Sequence, residues 1–365
     1  MNRFFMSLAV GAAAAAVAAG YPAGAEAQYY KGKTIEFIVG FATGGTDNAA
    51  RTIARRLQKY IPGAPKVVVK NMPGGASLKA QNFIFERAKP DGFTLGFNPF
   101  QVMAEITQRK GVRFSYPEFT YIAGVKASAF VTFARTDIAP GGFKGSQDVK
   151  KINKPLTYTG RNPLHSIDVV STLAFDMLGM KHGYVPGFRG SAAIVTSVEQ
   201  NETNITGSGA IMWLKHATPR LLNKGLAVPL FQFGIIQPDG SLARDPAFKD
   251  IPNFIEFYKQ VQGKEPSGPD WEAFQFAQNA MGIANFIVVG PPKMNPEATK
   301  ILRTAYKKAM ADPETIAEAK KAVLFAFKHV GYDRARKVMD DLRNTPPHIA
   351  KYWKERTARQ AGAGK

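Results

Sequence analysis

The stretch from Ile35 to Leu57 places a buried strand, a glycine-rich turn and the start of a helix within a few residues of one another. Its first residues, IEFIV, form the short apolar run expected of a strand that is covered on both faces. From Ala49 onwards the apolar residues recur at helical spacing, with arginines between them. Because the free amides at a helix start attract anions, the intervening turn, Phe41 to Asp47, is a candidate anion site.

The first 27 residues have the pattern of a cleaved secretory peptide. Asn2-Arg3 supplies a small positive region, Phe4 to Gly20 is apolar and rich in alanine, and Ala25-Glu26-Ala27 is a small-x-small cleavage signal. An N-terminal membrane anchor is the alternative, but the run is short and a cleavage site follows it. The mature chain is therefore expected to begin near Gln28, with no other stretch apolar enough to span a bilayer.

Composition narrows the classes of function further. The chain has 365 residues, 45% of them hydrophobic, which is enough for two medium-sized lobes. The absence of cysteine excludes a thiol nucleophile, a cysteine metal site, disulfides and a lipid-modified cysteine. The formal charge of +20 is spread over the polar faces of several predicted helices, which is typical of a solvated basic surface. An anionic ligand, membrane or nucleic acid could also explain that charge, but the export signal argues against nucleic acid.

The order of elements predicts an α/β fold. Between residues 35 and 97, strand, helix, strand, helix and strand alternate, which favours parallel strands with ligand-binding loops at their carboxyl ends. The pattern recurs from residue 156, where a strand ending at Thr159 is followed by a turn over 160–163 and an apolar helix. Residues 238–270 are rich in proline, glycine and charge, and this composition predicts a surface excursion.

The motifs exclude several kinds of chemistry. A phosphate loop needs lysine where Thr46 stands, and a dinucleotide fold needs an acidic residue where the second strand ends in Lys70-Asn71. The five histidines have no metal-binding spacing, and no nucleophile elbow is present. What remains is a turn suited to holding a carboxylate by backbone amides, with a purely structural turn as the alternative.

Two side chains of the second turn could also contact a ligand. Arg161 is a candidate counter-ion for an acid, although a solvated arginine is equally compatible with the sequence. His165 could face the ligand from the helix start, or it could be a structural histidine or a helix cap.

Several stretches, in this order, resemble one family: the substrate-binding receptors of the tripartite tricarboxylate transporters, also called Bug-type periplasmic receptors. The resemblance covers most of the mature chain, and it depends on the order and spacing of the stretches more than on any single motif. The stretches are Ile38 to Arg51, Asn71 to Ala76, Pro90 to Leu95, Tyr158 to His165, Tyr184 to Gly190 and Pro291 to Glu314.

The resemblance implies a two-lobed periplasmic-binding-protein fold, each lobe a mostly parallel sheet flanked by helices, with crossing strands between the lobes. It implies lobe 1 over 28–125, lobe 2 over 126–234, and a return to lobe 1 over 235–365 that carries the excursion and the C-terminal helices. Such a receptor is a periplasmic monomer that closes on a small organic acid, performs no chemistry, needs no cofactor or metal, and delivers its ligand to the membrane subunits of the transporter.

Carried onto this sequence, the resemblance implies a ligand held between the first-lobe loop, the second-lobe loop and two closing segments. The implied ligand-binding residues are Phe41, Ala42, Thr43, Gly44, Gly45, Thr46, Asp47, Thr159, Gly160, Arg161, Asn162, His165, Phe188, Arg189, Gly207 and Ser208.

The sequence departs from the family pattern at both loops. Only Thr46 separates Gly45 from Asp47, where the family usually has two residues, and Arg161 and Pro163 replace small residues in the second loop. These differences leave room for a bulkier or aromatic acid in place of a dicarboxylate. Two other functions stay open: an exported polyanion-binding protein that uses its basic surface, and a sensing receptor no longer coupled to transport.

Overall fold

The computed structural model describes residues 29–43, 45–108, 110–126, 129–161, 165–188, 190–237, 241–323 and 327–363. The predicted signal peptide, 1–27, lies outside these residues. Among the helices in the described ranges, none combines the length and the apolar character needed to cross a membrane.

Helices and strands alternate along most of the chain. The strands are β1 (Thr34–Val39), β2 (Lys66–Asn71), β3 (Thr94–Pro99), β4 (Thr120–Lys126), β5 (Val131–Arg135), β6 (Leu156–Thr159), β7 (His182–Val185), β8 (Ile205–Ser208), β9 (Ala227–Gln232), β10 (Ile235–Ile236), β11 (Leu242–Ala243), β12 (Phe286–Gly290) and β13 (Lys328–Val330). The helices are α1 (Gly45–Tyr60), α2 (Leu78–Glu86), α3 (Val102–Ile106), α4 (Ser166–Met177), α5 (Ser191–Glu199), α6 (Ala210–Met212, continued as a π-helix over Trp213–Leu222), α7 (Phe254–Gln262), α8 (Pro269–Gly282), α9 (Pro296–Ala311), α10 (Pro313–Val323), α11 (Tyr332–Arg343) and α12 (Pro347–Ala363).

The first sheet has six strands in the order β13-β4-β12-β3-β1-β2. β1 pairs in parallel with both β2 and β3, as the alternation of elements predicts. β12 lies between β3 and β4 and is antiparallel to both, and β13 is antiparallel to β4. The ends of β1, β2 and β3 therefore share one edge of the sheet, where the first glycine turn lies.

The second sheet has five strands in the order β7-β6-β8-β5-β9. β6 is parallel to β7 and β8, whereas β5 is antiparallel to β8 and β9. The chain passes from the first sheet to the second between β4 and β5 and returns to the first sheet after β9. The carboxyl ends of β6 and β8 are thus neighbours, and they bring the second turn close to Gly207 and Ser208.

Apolar residues at the predicted spacing cover the first sheet. Ala49, Ala50, Ile53 and Leu57 of α1 are fully buried, together with most of β1. α9 begins where the sequence predicts, because the Asn295 side chain accepts hydrogen bonds from the amides of Glu297 and Ala298.

The sequence predicts a surface excursion over 238–270, but the described part of this segment contains a helix with a buried face. Within its described part, Phe254 and Phe257 of α7 are at most 1% exposed, and both rings contact Phe231 of β9. The helix begins with a full capping box formed by Asn253 and Glu256. The proline, glycine and charged residues of the flanking turns dominate the composition of this segment. The sequence pattern therefore does not predict the amphipathic helix that packs against the second sheet.

Candidate functional site

The first-lobe loop joins β1 to α1 and is open to solvent at its tip. Ala42 and Thr43 are exposed, Phe41 and Thr46 are half-buried, and Gly45 begins α1. Gly44 lies outside the described residues. The loop therefore presents backbone and small side chains to solvent next to the N-terminus of a sixteen-residue helix.

Asp47 is buried and holds this loop in place. The side chain is 1% exposed, and its carboxylate accepts hydrogen bonds from Arg51 Nε at 3.0 and 3.1 Å and from Asn71 Nδ2 at 2.9 Å. Asn71 Nδ2 also donates to the carbonyl oxygen of Phe41 at 2.8 Å. Burial alone would raise the pKa of Asp47, but the hydrogen bonds from Arg51 and Asn71 outweigh it and lower the pKa. Asp47 thus braces the loop through Asn71, and its charge is matched by Arg51.

A second glycine turn packs directly beneath the loop. A Cβ atom added to Gly40 would lie 2.4 Å from Ser77 Cβ and 2.6 Å from Ser77 Cα, so the backbones of these two segments are in close contact. Gly40 also donates its amide to Asn98 Oδ1 at 2.7 Å. Ala76 and Ser77 have positive φ angles of 55° and 77°, so backbone strain is concentrated beside the candidate loop.

The second-lobe loop is tied to the segment that follows β7. The Gly160 amide donates to Val185 O at 2.9 Å, and the Phe188 amide donates to Gly160 O at 3.2 Å. The half-buried Phe188 packs against the core of α5 and α6. The structure thus brings together Gly160, Arg161 and Phe188 from the predicted set, whereas Asn162 and Arg189 lie outside the described residues.

Asp168, in the first turn of α4, lies at the centre of the second-lobe site. Its Oδ1 accepts from Arg161 Nη1 at 2.8 Å and from Tyr158 OH at 3.2 Å. Its Oδ2 accepts from the Arg161 amide at 2.6 Å and from Tyr184 OH at 3.1 Å. Asp168 is fully buried, and the Arg161 side chain is 21% exposed. Arg161, the predicted counter-ion, is therefore already paired within the protein.

Burial sets the protonation of the groups around Asp168. It raises the pKa of Tyr158 and of Tyr184 above the ordinary value, so both hydroxyl groups stay protonated and donate hydrogen bonds to the carboxylate. Burial also lowers the pKa of His165 to about 4, so the imidazole is neutral at pH 7. His165 Nδ1 is 3.8 Å from Asp168 Oδ1, beyond hydrogen-bond distance.

The other predicted residues of the second lobe are deeply buried. The Thr159 hydroxyl pairs with the Thr203 hydroxyl. The Gly207 carbonyl accepts from Arg161 Nη2 at 3.3 Å. The hydroxyl groups of Ser208 and of Ser166, the first residue of α4, are buried and have no hydrogen-bond partner among the described residues. Buried hydroxyl groups without partners are uncommon, and here one lies two residues before Asp168 and the other directly follows Gly207.

The second lobe contacts the first-lobe core just after the end of β8. Ile211, three residues after the end of β8, is half-buried and packs against the first-lobe core that contains Val39 of β1. Chemically, the described residues of the two loops offer helix-start amides, the partly exposed guanidinium groups of Arg51 and Arg161, and neutral hydroxyl groups. No group of histidines and acids in the described ranges could hold a metal ion.

Sequence reasoning missed Asp168, Tyr184 and the bracing pair Asn71 and Asn98. An acid three residues after His165, in the first turn of a helix, was a readable signal for Asp168. Nothing local marks Tyr184, which reaches the site because β7 lies beside β6.

A cavity of about 250 Å³ lies between α8 and α11, and none of the residues that line it belongs to the predicted loops. Asp341 is the only charged residue among them, so this cavity suits an acid poorly. Its lining consists of Phe276, Asn279, Ala280, Val338, Asp341, Leu342, Asn344 and Pro346.

Comparison with known proteins identifies the fold. No family model matches the sequence, and no curated protein matches it either. Among solved structures, the periplasmic binding protein BugD is 18% identical with a TM-score of 0.62, over 90% of this chain and 98% of that one. A Rhodopseudomonas palustris protein with adipate is 20% identical with a TM-score of 0.60, over 90% and 97%. MatC from the same organism, with bound malate, is 17% identical with a TM-score of 0.58, over 91% and 99%.

These matches confirm the predicted α/β periplasmic-binding-protein fold over nearly the whole length of the neighbours.

Proposed function

We propose that this chain is a periplasmic receptor of the Bug type, which captures a small organic acid between two lobes and performs no chemistry on it. In this proposal lobe 1 comprises 28–125 and 235–365, lobe 2 comprises 126–234, and residues 1–27 are a cleaved export signal. The receptor acts as a monomer and passes its ligand to the membrane subunits of a tripartite tricarboxylate-type transporter.

One observation carries the proposal: in each sheet a parallel strand leads through a turn that contains glycine into the start of a helix. After β1 the turn leads into α1, and after β6 the turn leads into α4. Free amides at helix starts hold anions, and Arg161 adds a partly exposed guanidinium from the second turn. The shared fold with structures that contain malate and adipate supports a carboxylate as the anion.

A thermal-shift panel tests the proposal. The mature protein is melted with monocarboxylates, dicarboxylates and aromatic acids at millimolar concentration, with matched sodium chloride as the control. Because a ligand that binds only the native state stabilises it, at least one acid should raise the melting temperature in a concentration-dependent way. If no acid raises it, the carboxylate assignment fails.

Arg161→Lys tests the second-lobe half of the clamp. Lysine keeps a positive charge for Asp168 but lacks the planar fork of donors, so the affinity for the acid should fall by about tenfold. Arg220→Lys is the matched control, because Arg220 is an ion-paired arginine of the same lobe whose partner is Glu199. Equal affinities in both variants and the wild type would remove Arg161 from the binding site.

A further inference from the structure

The second-lobe site contains a buried carboxylate of its own, and this limits the charge of the ligand. Asp168 is fully buried and receives four hydrogen bonds, two of them from Arg161. An incoming carboxylate at this end would compete with Asp168 for the same guanidinium, and it would lie close to a like charge.

The described charges of the two loops cancel. Asp47 is paired with Arg51 in the first lobe, and Asp168 is paired with Arg161 in the second. His165 adds no charge at neutral pH because burial lowers its pKa to about 4. Among the described residues of the two loops, what remains is the partial positive charge at the N-termini of α1 and α4, roughly half a unit each. Together these helix starts balance about one negative charge.

Two hydroxyl groups of the second lobe have no partner in the described part of the chain. The hydroxyl groups of Ser166 and Ser208 are buried without a hydrogen-bond partner among the described residues. Ser166 lies two residues before Asp168, and Ser208 directly follows Gly207, whose carbonyl accepts from Arg161. Hydroxyl groups can satisfy an uncharged oxygen of a ligand without an excess positive charge.

From this charge balance we propose that the ligand carries a single carboxylate and that its other end is uncharged, with Asp168 as the residue that discriminates against a second carboxylate. The inference rests on the proposed function and names the ligand class for the same site. Asp168 acts by occupying Arg161 and by its own charge, so it determines specificity without needing to contact the ligand.

Titration calorimetry with ligands of equal length tests this inference on the mature protein. The pairs are hexanoate with adipate and butyrate with succinate, each at pH 7 in the same buffer. A third acid of the first set is 6-hydroxyhexanoate, a monocarboxylate whose far end is a neutral hydroxyl group. The monocarboxylate of each pair should bind at least about tenfold more tightly than its dicarboxylate. Equal or tighter binding of the dicarboxylates would overturn the inference while the receptor function stood. If none of these acids, nor any acid of the thermal-shift panel, binds, the proposed function fails, and the inference fails with it.

Asp168→Asn provides the second arm. This variant keeps a side chain of the same shape but removes one negative charge beside Arg161, so the preference should shift towards the dicarboxylate by about tenfold or more relative to the wild type. Asp137→Asn is the matched control, because Asp137 is an ion-paired aspartate of the same lobe whose partners are Arg135 and Lys154. An unchanged preference in a folded Asp168→Asn protein would refute the role of Asp168. If that variant does not fold, the wild-type pairs decide the question alone.

Discussion

Gly40→Ala should disrupt the junction beneath the first-lobe loop. The added Cβ would lie 2.4 Å from Ser77 Cβ, 2.6 Å from Ser77 Cα and 2.7 Å from Asn98 Oδ1. Overpacking of this kind costs about 1–3 kcal/mol, and weakening the buried hydrogen bond from the Gly40 amide to Asn98 costs a further 1–3 kcal/mol or so. We therefore expect the free energy of unfolding to fall by about 2–6 kcal/mol.

Urea unfolding followed by circular dichroism measures this loss. Gly183→Ala is the matched control, because Gly183 also lies in a strand and its added Cβ would meet only Leu156 O, at 3.8 Å. The control should be unchanged or more stable by up to about 1 kcal/mol, since glycine weakens a strand. A free energy of unfolding for Gly40→Ala within about 0.5 kcal/mol of the wild type would refute the close approach of the two glycine turns.

Three further predictions concern pH, salt and helix capping. Because burial lowers the pKa of His165 to about 4, the unfolded chain binds this proton between pH 6.5 and 4 and stability falls as the pH drops through that window. Between pH 7 and pH 5 the wild type should lose about 2 kcal/mol of unfolding free energy through His165, and the His165→Gln variant should lack this part of the loss. An unaltered pH profile in the variant would contradict the burial of His165. Acid binding between the lobes should weaken only modestly from about 50 to 200 mM salt, whereas a fall of about a thousandfold would favour the polyanion-binding alternative. Asn295→Ala should cost about 1 kcal/mol in urea unfolding, and no loss would contradict the capping role of Asn295.

Much of the fold was predictable because its signals are local. β6 ends at Thr159, as the sequence predicts, and α9 begins at an asparagine cap followed by proline, which is a local signal for a helix start. The parallel pairing of β1 with β2 and β3 follows from the alternation of strands and helices. By contrast, β12 lies between β3 and β4 although about 160 residues of chain separate it from β4. The apolar pattern of a strand does not indicate which distant strand it pairs with, so this pairing could not be predicted.

The candidate site was predictable as two loops but not as a network. Gly40 to Asp47 and Thr159 to His165 were identified from glycine turns at strand ends. The role of Asp168 depends on donors from three separate elements, which only the folded chain assembles. The buried helix within 238–270 was missed because its flanking turns dominate the composition of that segment.

A crystal structure of the mature protein with the acid that binds most tightly would test the central claim most directly. We expect one carboxylate within hydrogen-bond distance of backbone amides in residues 41–47, with the uncharged end of the acid on the side of Arg161 and Asp168 in the second lobe. An acid bound elsewhere, such as in the cavity between α8 and α11, would contradict it.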